Sequence, residues 1–222
     1  MKYYAIVVAG GSGSRMQSTI AKQFLLLDGI PVLMHTIAAF DKCALKPKIL
    51  LVLNIHQHKY WEDLCISYNF NIPHQVISGG AQRFHSVKNG LKSIKGKGIV
   101  AVHDAVRPLI SPDLILRSFE VAEEKGSCVI GVRPTDSVRK VLEEGKSESL
   151  NRAELYLIQT PQTFNADLLR KAYQVPFRNE FTDDASVAEY SGIGINLIEG
   201  ERKNIKITYP EDIEIASFFI KK

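Results

Sequence analysis

A short apolar strand near the amino terminus leads directly into a loop of glycines and a cation. The segment reads Tyr3-Tyr4-Ala5-Ile6-Val7-Val8-Ala9-Gly10-Gly11-Ser12-Gly13-Ser14-Arg15-Met16, and Lys22 follows seven residues after the arginine. Glycine has no Cβ, so a phosphate can approach the backbone N–H groups of such a loop, while the two cations hold the remaining charge. The segment therefore predicts a polyphosphate cradle at the carboxyl edge of a sheet. A tight strand-to-helix turn with two surface cations would use the same residues.

The two common phosphate-binding fingerprints do not fit this loop. The dinucleotide pattern G-x-G-x-x-G needs glycine at position 16, where the chain has Met16. The P-loop pattern ends in Gly-Lys-Ser/Thr, where the chain has Arg15-Met16. These differences argue against an NAD-dependent oxidoreductase and against a P-loop nucleotidase.

Length and composition favour one α/β domain with a small appendage. The chain has 222 residues, of which 45% are hydrophobic, and a formal net charge of +4. It has no dense Lys/Arg stripe, so the mild basicity suits anionic substrates better than nucleic acid. Its three cysteines form no C-x-x-C pair, which indicates free thiols in a reducing compartment. No apolar run reaches membrane-spanning length, and we expect a soluble cytoplasmic protein that binds no membrane.

Apolar runs of strand length alternate with amphipathic segments of helical period along most of the chain. The predicted strands are Tyr3–Val8, Lys48–Leu53, Gln75–Ile77, Ile99–His103, Ser127–Val132, Ile195–Ile198 and Ile205–Thr208. The predicted helices are Pro31–Phe40, His58–Tyr68, Ala81–Ile94, Pro112–Lys125, Ala166–Gln174, Asp184–Ser191 and Glu211–Phe219. This alternation predicts an α/β fold, a three-layer, mainly parallel, Rossmann-like sheet in a single domain of residues 1–222.

The alternation breaks within residues 133–155, where a weakly alternating run, a polar turn and a returning run predict a β-hairpin arm. The arm has too few apolar residues for a core of its own, and a lone hairpin is marginal in water. It either packs on a second subunit or forms a loose surface excursion, and the pattern alone leaves both open.

A second polar cluster follows the predicted strand Ile99–His103 and reads His103-Asp104-Ala105-Val106-Arg107-Pro108. In an open parallel sheet, ligands bind at the carboxyl ends of strands near the point where strand order reverses. A carboxylate facing a triphosphate there needs a cation between them, and Mg²⁺ commonly takes one carboxylate with phosphate oxygens. We therefore expect Asp104 to be associated with a metal and Arg107 to bind an anion. Asp104 could instead cap the following turn. We expect His103 to be packed and hydrogen-bonded.

Seven segments, in order along nearly the whole chain, resemble motifs of the 2-C-methyl-D-erythritol 4-phosphate cytidylyltransferases, nucleotidyltransferases of the non-mevalonate isoprenoid pathway. They are Gly11-Ser12-Gly13-Ser14-Arg15-Met16, Lys22-Gln23-Phe24, Gly79-Gly80 with Arg83 and Ser86-Val87, His103 to Pro108, Thr160-Pro161-Gln162, Thr182-Asp183-Asp184-Ala185-Ser186, and Asn204-Ile205-Lys206-Ile207-Thr208 followed by Pro210-Glu211-Asp212.

The resemblance implies a role for residues in each segment. The residues expected around CTP are Ala9, Gly10, Gly11, Ser12, Gly13, Gly80, Ala81, Ser86, Asp104 and Ala105. The residues expected around the acceptor substrate are Asp104, Arg107, Ser137, Arg152, Thr160, Thr182 and Lys206. The residues expected to be catalytic are Arg15, Lys22, Arg152 and Lys206.

The resemblance also implies the reaction, the cofactor and the assembly. CTP and methylerythritol phosphate would be joined with release of pyrophosphate, with Mg²⁺ or another divalent cation at Asp104. The arm would form a homodimer and lend Ser137 and Arg152 to the partner's site. The chain departs from the family pattern at Ala81, where an acidic residue is common, and at Ser137, where threonine is common.

Two alternatives remain. Ribitol-5-phosphate cytidylyltransferases share the glycine loop and the His-Asp-Ala-Val-Arg-Pro motif, although the segment from Thr182 to Ser186 favours methylerythritol phosphate. A nucleotide-binding regulator on an inactive transferase scaffold would not need Arg15, Lys22, Asp104 and Lys206 together.

Overall fold

The structure is a computed structural model that describes residues 1–9 and 20–221. Strands in this part of the chain are β1 (Tyr3–Ala9), β2 (Leu26–Leu27), β3 (Ile30–Pro31), β4 (Lys48–Leu53), β5 (His74–Ser78), β6 (Ile99–Asp104), β7 (Ser127–Val132), β8 (Val138–Val141), β9 (Ser147–Leu150), β10 (Leu157–Asn165) and β11 (Leu197–Glu199). Helices are α1 (Val32–Lys42), α2 (His58–Ser67), α3 (Arg83–Lys92), α4 (Pro112–Lys125), α5 (Ala166–Ala172), α6 (Asp184–Tyr190) and α7 (Glu211–Ile220).

One seven-stranded sheet organises the chain, in the order β11-β7-β10-β6-β1-β4-β5. β10 runs antiparallel to both of its neighbours, β6 and β7, whereas the other neighbouring strands pair in parallel. The chain builds outward from β1 through β4 to β5 and then returns to place β6 on the other side of β1. This reversal opens a crevice at the carboxyl ends of β1 and β6, where ligands bind in folds of this type.

Alternating side chains of the central strands pack against helices on both faces of the sheet. On one face Ala5 and Val7 of β1 belong to an apolar cluster with residues of α1, α2 and α4, and on the other Ile6 belongs to a cluster with residues of α3, α5 and α6. Both faces are therefore buried, which explains why β4 and β6 are almost continuously apolar. The prediction of a three-layer, mainly parallel α/β sheet is confirmed.

A third, smaller apolar cluster lies beside the carboxyl edge of the sheet. It joins Leu27, Val32 and Val106 to Ile207 and to Ala216 of α7. The amide of Ile207 donates a 2.9 Å hydrogen bond to the carbonyl oxygen of Val106. This cluster fixes the segment that carries Lys206 against the end of β6.

Several element boundaries match the sequence-based predictions. β4, β7 and α4 have the predicted limits, and Ser111 caps α4 by accepting the amide of Leu114 at 3.2 Å. The predicted helix Ala81–Ile94 is shorter, since α3 spans Arg83–Lys92.

Two predictions near the carboxyl end differ from the structure. The predicted strand Ile205–Thr208 is wrong: the segment has no regular secondary structure. β6 ends at Asp104, so the segment has no strand edge along which to pair, and the Ile207 amide supplies its bond to Val106. The predicted strand Ile195–Ile198 shifts along the chain to Leu197–Glu199.

The predicted hairpin is present as a separate two-stranded sheet. β8 and β9 pair antiparallel, with Val138 opposite Leu150 and Val141 opposite Ser147. Val141 is 77% exposed, and Leu157 at the base of the arm is 55% exposed. These apolar side chains have little protein around them within one chain.

Within the described residues, no helix combines the length and apolar character needed to span a membrane.

Candidate active site

The crevice at the carboxyl ends of β1 and β6 contains a small cavity lined by both charged and apolar residues. Val8 of β1 lies in register with Asp104, the last residue of β6. The cavity has a volume of about 120 Å³ and is lined by Val8, Ala9, Lys22, Gln23, Arg83, Asp104, Ala105, Val106 and Lys206. The fold therefore brings the end of the first strand, the Lys22 segment and the Lys206 segment to one place.

Asp104 faces three cations from three different parts of the chain. Lys206 Nζ lies 2.9 Å from its Oδ2, Arg107 Nε lies 3.6 Å from the same oxygen, and Arg83 Nε lies 3.5 Å from Oδ1. Burial alone would raise the pKa of Asp104, but Arg83, Lys206 and Arg107 together hold it well below its usual value. Asp104 is therefore ionised at neutral pH, and the surplus of cations around it suits an anionic ligand.

Backbone and side-chain hydrogen bonds hold Asp104 from behind. Its amide donates to Thr160 Oγ1 at 3.0 Å, and that hydroxyl lies 3.1 Å from Nδ1 of the buried His103. His103 Nε2 lies 3.1 Å from the carbonyl oxygen of Arg107 and must donate to it, so Nδ1 accepts the hydroxyl proton. Burial lowers the pKa of His103 to about 4. As expected from the sequence, this neutral histidine is packed and hydrogen-bonded.

The segment before α3 is shaped by a contact between Gly80 and Ser86. The amide of Gly80 donates to Ser86 Oγ at 3.0 Å, and Ser86 is buried. A Cβ on Gly80 would lie 2.4 Å from the Cβ of His85, so only glycine fits there. Ala81 is exposed next to this turn.

The end of β1 is tied to the Lys22 segment through one glutamine. Gln23 Nε2 donates to the carbonyl oxygen of Ala9 at 3.1 Å and to Gln57 Oε1 at 2.9 Å. Gln23 belongs to the short 3₁₀ helix Lys22–Phe24 and is buried. These bonds place Lys22 at the rim of the cavity.

Comparison with known proteins identifies the family. The family model for 2-C-methyl-D-erythritol 4-phosphate cytidylyltransferase matches residues 3–222. The chain belongs to this family. A cytidylyltransferase so named from Bacteroides fragilis is 46% identical over 213 residues, which cover 96% of this chain and 97% of the relative. Another from Azobacteroides pseudotrichonymphae is 48% identical and covers 98% of each chain.

Solved structures of cytidylyltransferases have the same fold. The crystal structure of 4-diphosphocytidyl-2C-methyl-D-erythritol synthase from Anaerococcus prevotii superposes with a TM-score of 0.85 at 26% identity, covering 100% of this chain and 99% of the other. The 2-C-methyl-D-erythritol 4-phosphate cytidylyltransferase from Thermus thermophilus gives 0.80 at 27% identity and covers 100% of both. The predicted cytidylyltransferase family is therefore confirmed, and the matches support it over the ribitol-5-phosphate alternative.

Most of the residues that the cytidylyltransferase resemblance assigned to the acceptor fall into two groups. Arg107, Thr160 and Lys206 lie around Asp104, but Arg107 is mostly buried and donates to the carbonyl oxygen of Asn204 at 2.8 Å. The Thr160 hydroxyl is engaged with Asp104 and His103, as described above. Thr182 is exposed next to Asp183, which caps α6.

The second group, Ser137 and Arg152, belongs to the arm. Ser137 is exposed just before β8, and Arg152 is exposed and donates to the carbonyl oxygen of Thr135. This hydrogen bond ties the Arg152 side chain to the arm itself.

Part of the predicted nucleotide cradle lies outside the described residues. These residues are Gly10, Gly11, Ser12, Gly13 and Arg15. Ala9, directly before them, and Ala105, at the end of β6, both line the cavity and are buried.

Arg83 is a site residue that the sequence-based assignment missed. It lines the cavity and joins Asp104 to Asp184 of α6. Its position in the segment that begins Gly79-Gly80 was visible in the sequence, but the buried partner 101 residues later was not.

A divalent cation bound in this cavity would depend on the Asp104 carboxylate. Among residues 1–9 and 20–221, no three His, Cys, Asp or Glu side chains gather into a metal-binding group. Asp104 supplies one carboxylate that borders the cavity, with 11% of its side chain exposed. Mg²⁺ commonly binds one carboxylate together with substrate phosphates, and a metal held in that way by Asp104 would share the carboxylate oxygens with Lys206, Arg107 and Arg83.

Proposed function

We propose that this chain joins CTP to 2-C-methyl-D-erythritol 4-phosphate, giving 4-diphosphocytidyl-2-C-methyl-D-erythritol and pyrophosphate. The observation that carries the proposal is the Lys206–Asp104 ion pair of 2.9 Å beside Lys22, in a chain that matches this family over residues 3–222. Since CTP is a cytoplasmic metabolite, a cytoplasmic location remains our prediction.

The proposed reaction brings one anion against another. A phosphate oxygen of the acceptor attacks the α-phosphorus of CTP, the new P–O bond forms, and the bond to pyrophosphate breaks. The nucleophile is already ionised, so the barrier lies mainly in positioning and charge. Lys22 and Arg15 would take up charge on the α-phosphate and leaving group, while Lys206 and Arg152 would direct the acceptor phosphate.

The surroundings of His103 support a mechanism without a general base. Nδ1 accepts from Thr160 and Nε2 donates to the Arg107 carbonyl, so neither ring nitrogen is available to a substrate. The burial that lowers its pKa also separates the ring from the cavity. Transfer would therefore depend on fixed positive charge.

We infer that Mg²⁺, or another divalent cation, is the cofactor and that Asp104 is its protein ligand. When bound with CTP, such an ion neutralises phosphate charge and polarises the phosphorus. Lys206 and Arg83 hold the Asp104 carboxylate in place for this contact. Asp104→Asn should raise the metal concentration that gives half-maximal rate, measured as pyrophosphate release against Mg²⁺, whereas an unchanged metal dependence would remove Asp104 from this role.

We also propose a homodimer formed through the arm. Val141, Leu142, Leu157 and Ile158 are exposed apolar side chains on the arm and at its base, and their burial would stabilise a dimer. In that dimer Ser137 and Arg152 of the arm would reach the partner's site.

One assay tests the proposed function. The purified protein is supplied with CTP and Mg²⁺ and with either methylerythritol phosphate or ribitol 5-phosphate, and pyrophosphate release is followed. We expect turnover with methylerythritol phosphate and a much smaller kcat/KM with ribitol 5-phosphate. A preference for ribitol 5-phosphate would overturn the substrate assignment, and CTP binding without turnover on either acceptor would favour a regulator.

A further inference from the structure

A carboxylate that the proposed chemistry does not use is completely buried close to the site. Asp184, the first residue of α6, has no exposed surface. Its Oδ1 accepts from the Tyr173 hydroxyl at 2.6 Å, and its Oδ2 accepts from Arg83 Nη2 at 2.7 Å. A buried charge costs several kcal/mol unless it is well paired, so Asp184 fixes where both donors lie.

Arg83 carries this fixed geometry into the cavity. The guanidinium that donates to Asp184 also places Nε 3.5 Å from Asp104 Oδ1. Burial alone would lower the pKa of Arg83, but Asp184 and Asp104 together raise it above its ordinary value. One planar side chain therefore joins the start of α3, the start of α6 and the end of β6.

The other oxygen of Asp104, Oδ2, faces Lys206 and, at a longer distance, Arg107. Because Arg83 faces Oδ1, the carboxylate is turned so that Oδ2 meets Lys206 Nζ at 2.9 Å. A chain of contacts thus runs from Tyr173 through Asp184, Arg83 and Asp104 to Lys206. Each group in it is oriented by the previous one.

We propose that Arg83 is a positioning residue for nucleotidyl transfer, held by Asp184 and Tyr173, and that it orients the Asp104–Lys206 pair. This inference rests on the proposed function and adds to it a residue that acts through its neighbours. Stability alone gives little reason for the arrangement, because a buried ion pair contributes little more than apolar side chains of similar volume. Orientation of a charged pair needs the two-sided fork that arginine provides and lysine lacks.

The test compares Arg83→Lys, Asp184→Asn and the double variant with the wild type. Lys92→Gln, an exposed position at the end of the same helix, is the matched control. Arg83→Lys keeps the charge but cannot face Asp184 and Asp104 together, so we expect kcat to fall roughly 10- to 100-fold, as for a misplaced catalytic group. The CTP dissociation constant, measured by calorimetry, should change by less than about threefold.

The double variant separates positioning from a purely structural role. Asp184→Asn alone should lower kcat relative to the wild type. Added to Arg83→Lys, it should lower kcat little further, because Asp184 acts through Arg83. Tyr173→Phe is the variant to use if the less conservative ones do not fold, because it keeps the stacking on Phe84, with centroids 4.7 Å apart. It removes only the hydroxyl that donates to Asp184, and it should lower kcat several-fold. All rates are measured well below each variant's melting temperature.

Lower melting temperatures with unchanged kcat for Arg83→Lys and Tyr173→Phe would overturn the inference. Failure of the proposed function looks different, because the wild type itself would not use methylerythritol phosphate. If the wild type uses ribitol 5-phosphate instead, the same variants are compared on that acceptor. A wild type that turns over neither acceptor overturns both proposals.

Discussion

His103 shows how a single buried residue supports the site without taking part in its chemistry. Its two ring nitrogens fix Thr160 on one side and the Arg107 carbonyl on the other, and Thr160 in turn accepts the amide of Asp104. Protonation of Nδ1 would put a donor against the hydroxyl that now donates to it. The neutral ring is thus a condition of the observed hydrogen-bond chain.

We predict that His103 makes folding stability depend on pH between about 4 and 6.5. The folded-state pKa is about 4 and the ordinary value is 6.5, so in this range the unfolded chain takes up a proton that the folded chain does not. The contribution of the neutral His103 ring to the free energy of unfolding is about 3 kcal/mol. It is fully present above pH 6.5 and is lost as the pH falls towards 4. Urea unfolding of the wild type and of His103→Gln, in metal-free buffer, measures it.

The two unfolding curves should converge as the pH falls, since the variant lacks the titrating ring. His56→Gln, a change at an exposed histidine, serves as the control for replacing a histidine by glutamine. Parallel curves for wild type and His103→Gln would contradict the lowered pKa.

The cations of the amino-terminal segment are predicted to act on the transition state. Lys22 lines the cavity, and the sequence pairs it with Arg15. Loss of a donor aimed at developing charge costs on the order of 10²–10³ in kcat, which we expect for Lys22→Ala and Arg15→Ala. Lys42→Ala, an exposed change on α1, should leave kcat unaffected. Small effects on kcat/KM for both site variants would refute their assigned role.

At the scale of elements, the sequence predicts strands that are buried on both faces and misses β10, which contains a proline. β4 and β7 have their predicted limits because their apolar runs are continuous and bounded by turns. β10 was not predicted, since Pro161 argues against a central strand, and the structure accommodates it where the pairing with β7 shifts register. The segment Ile205–Thr208 was predicted as a strand because local pattern cannot show that no edge is available.

The Lys206 segment, although it is not a strand, is held on both sides. Asn204 is buried, and its Nδ2 donates to the Thr160 carbonyl at 2.9 Å and to Gln159 Oε1 at 3.2 Å. Two residues after Asn204 comes Lys206, and Ile207 then binds the Val106 carbonyl. Lys206 is therefore presented by two buried neighbours and not by regular structure.

We predict that Asn204→Ala impairs transfer by releasing Lys206 from its position. The change leaves two buried acceptors without a donor, at a cost of about 1–3 kcal/mol in the free energy of unfolding. Displacement of Lys206 should lower kcat roughly 10- to 100-fold. Steady-state kinetics and urea unfolding measure the two effects.

Lys203→Ala, an exposed change one residue before Asn204, is the control and should leave both quantities unchanged. An Asn204→Ala enzyme that is destabilised but has the wild-type kcat would show that Lys206 does not need this support.

At the scale of the whole molecule, the predicted site divides between the sheet edge and the arm. Lys22, Asp104, Arg107, Thr160 and Lys206 meet at the crevice, and the sequence had placed Asp104 and Arg107 directly after the end of a strand. Ser137 and Arg152 lie on a hairpin with exposed apolar side chains. Their predicted role depends on a second chain, which neither the sequence pattern nor the fold of a single chain reveals. The sequence could therefore place Lys22, Asp104 and Arg107 near the ends of strands, but it could assign Thr160, Lys206 and the arm only through the family resemblance.

We predict that Arg152 acts on the partner's site, which a mixing experiment can test. Arg152→Ala and Lys206→Ala enzymes should each be nearly inactive alone. In a heterodimer of the two, one site combines the intact Lys206 of the first chain with the intact Arg152 of the second, so activity returns. Random exchange of equal amounts should recover about a quarter of the wild-type rate, since half of the dimers are mixed and each has one intact site.

Exchange requires that the dimer dissociate, so the two variants are unfolded in urea together and refolded, with each variant refolded alone as the control. The mass in solution, from light scattering, shows whether dimers form. If Arg152 acted within its own chain, every site in the mixed dimer would carry one defect and no activity would return.

Val141→Glu, which places a charge on an exposed apolar position of the arm, should yield monomers that have lost activity although Lys22, Asp104 and Lys206 are intact.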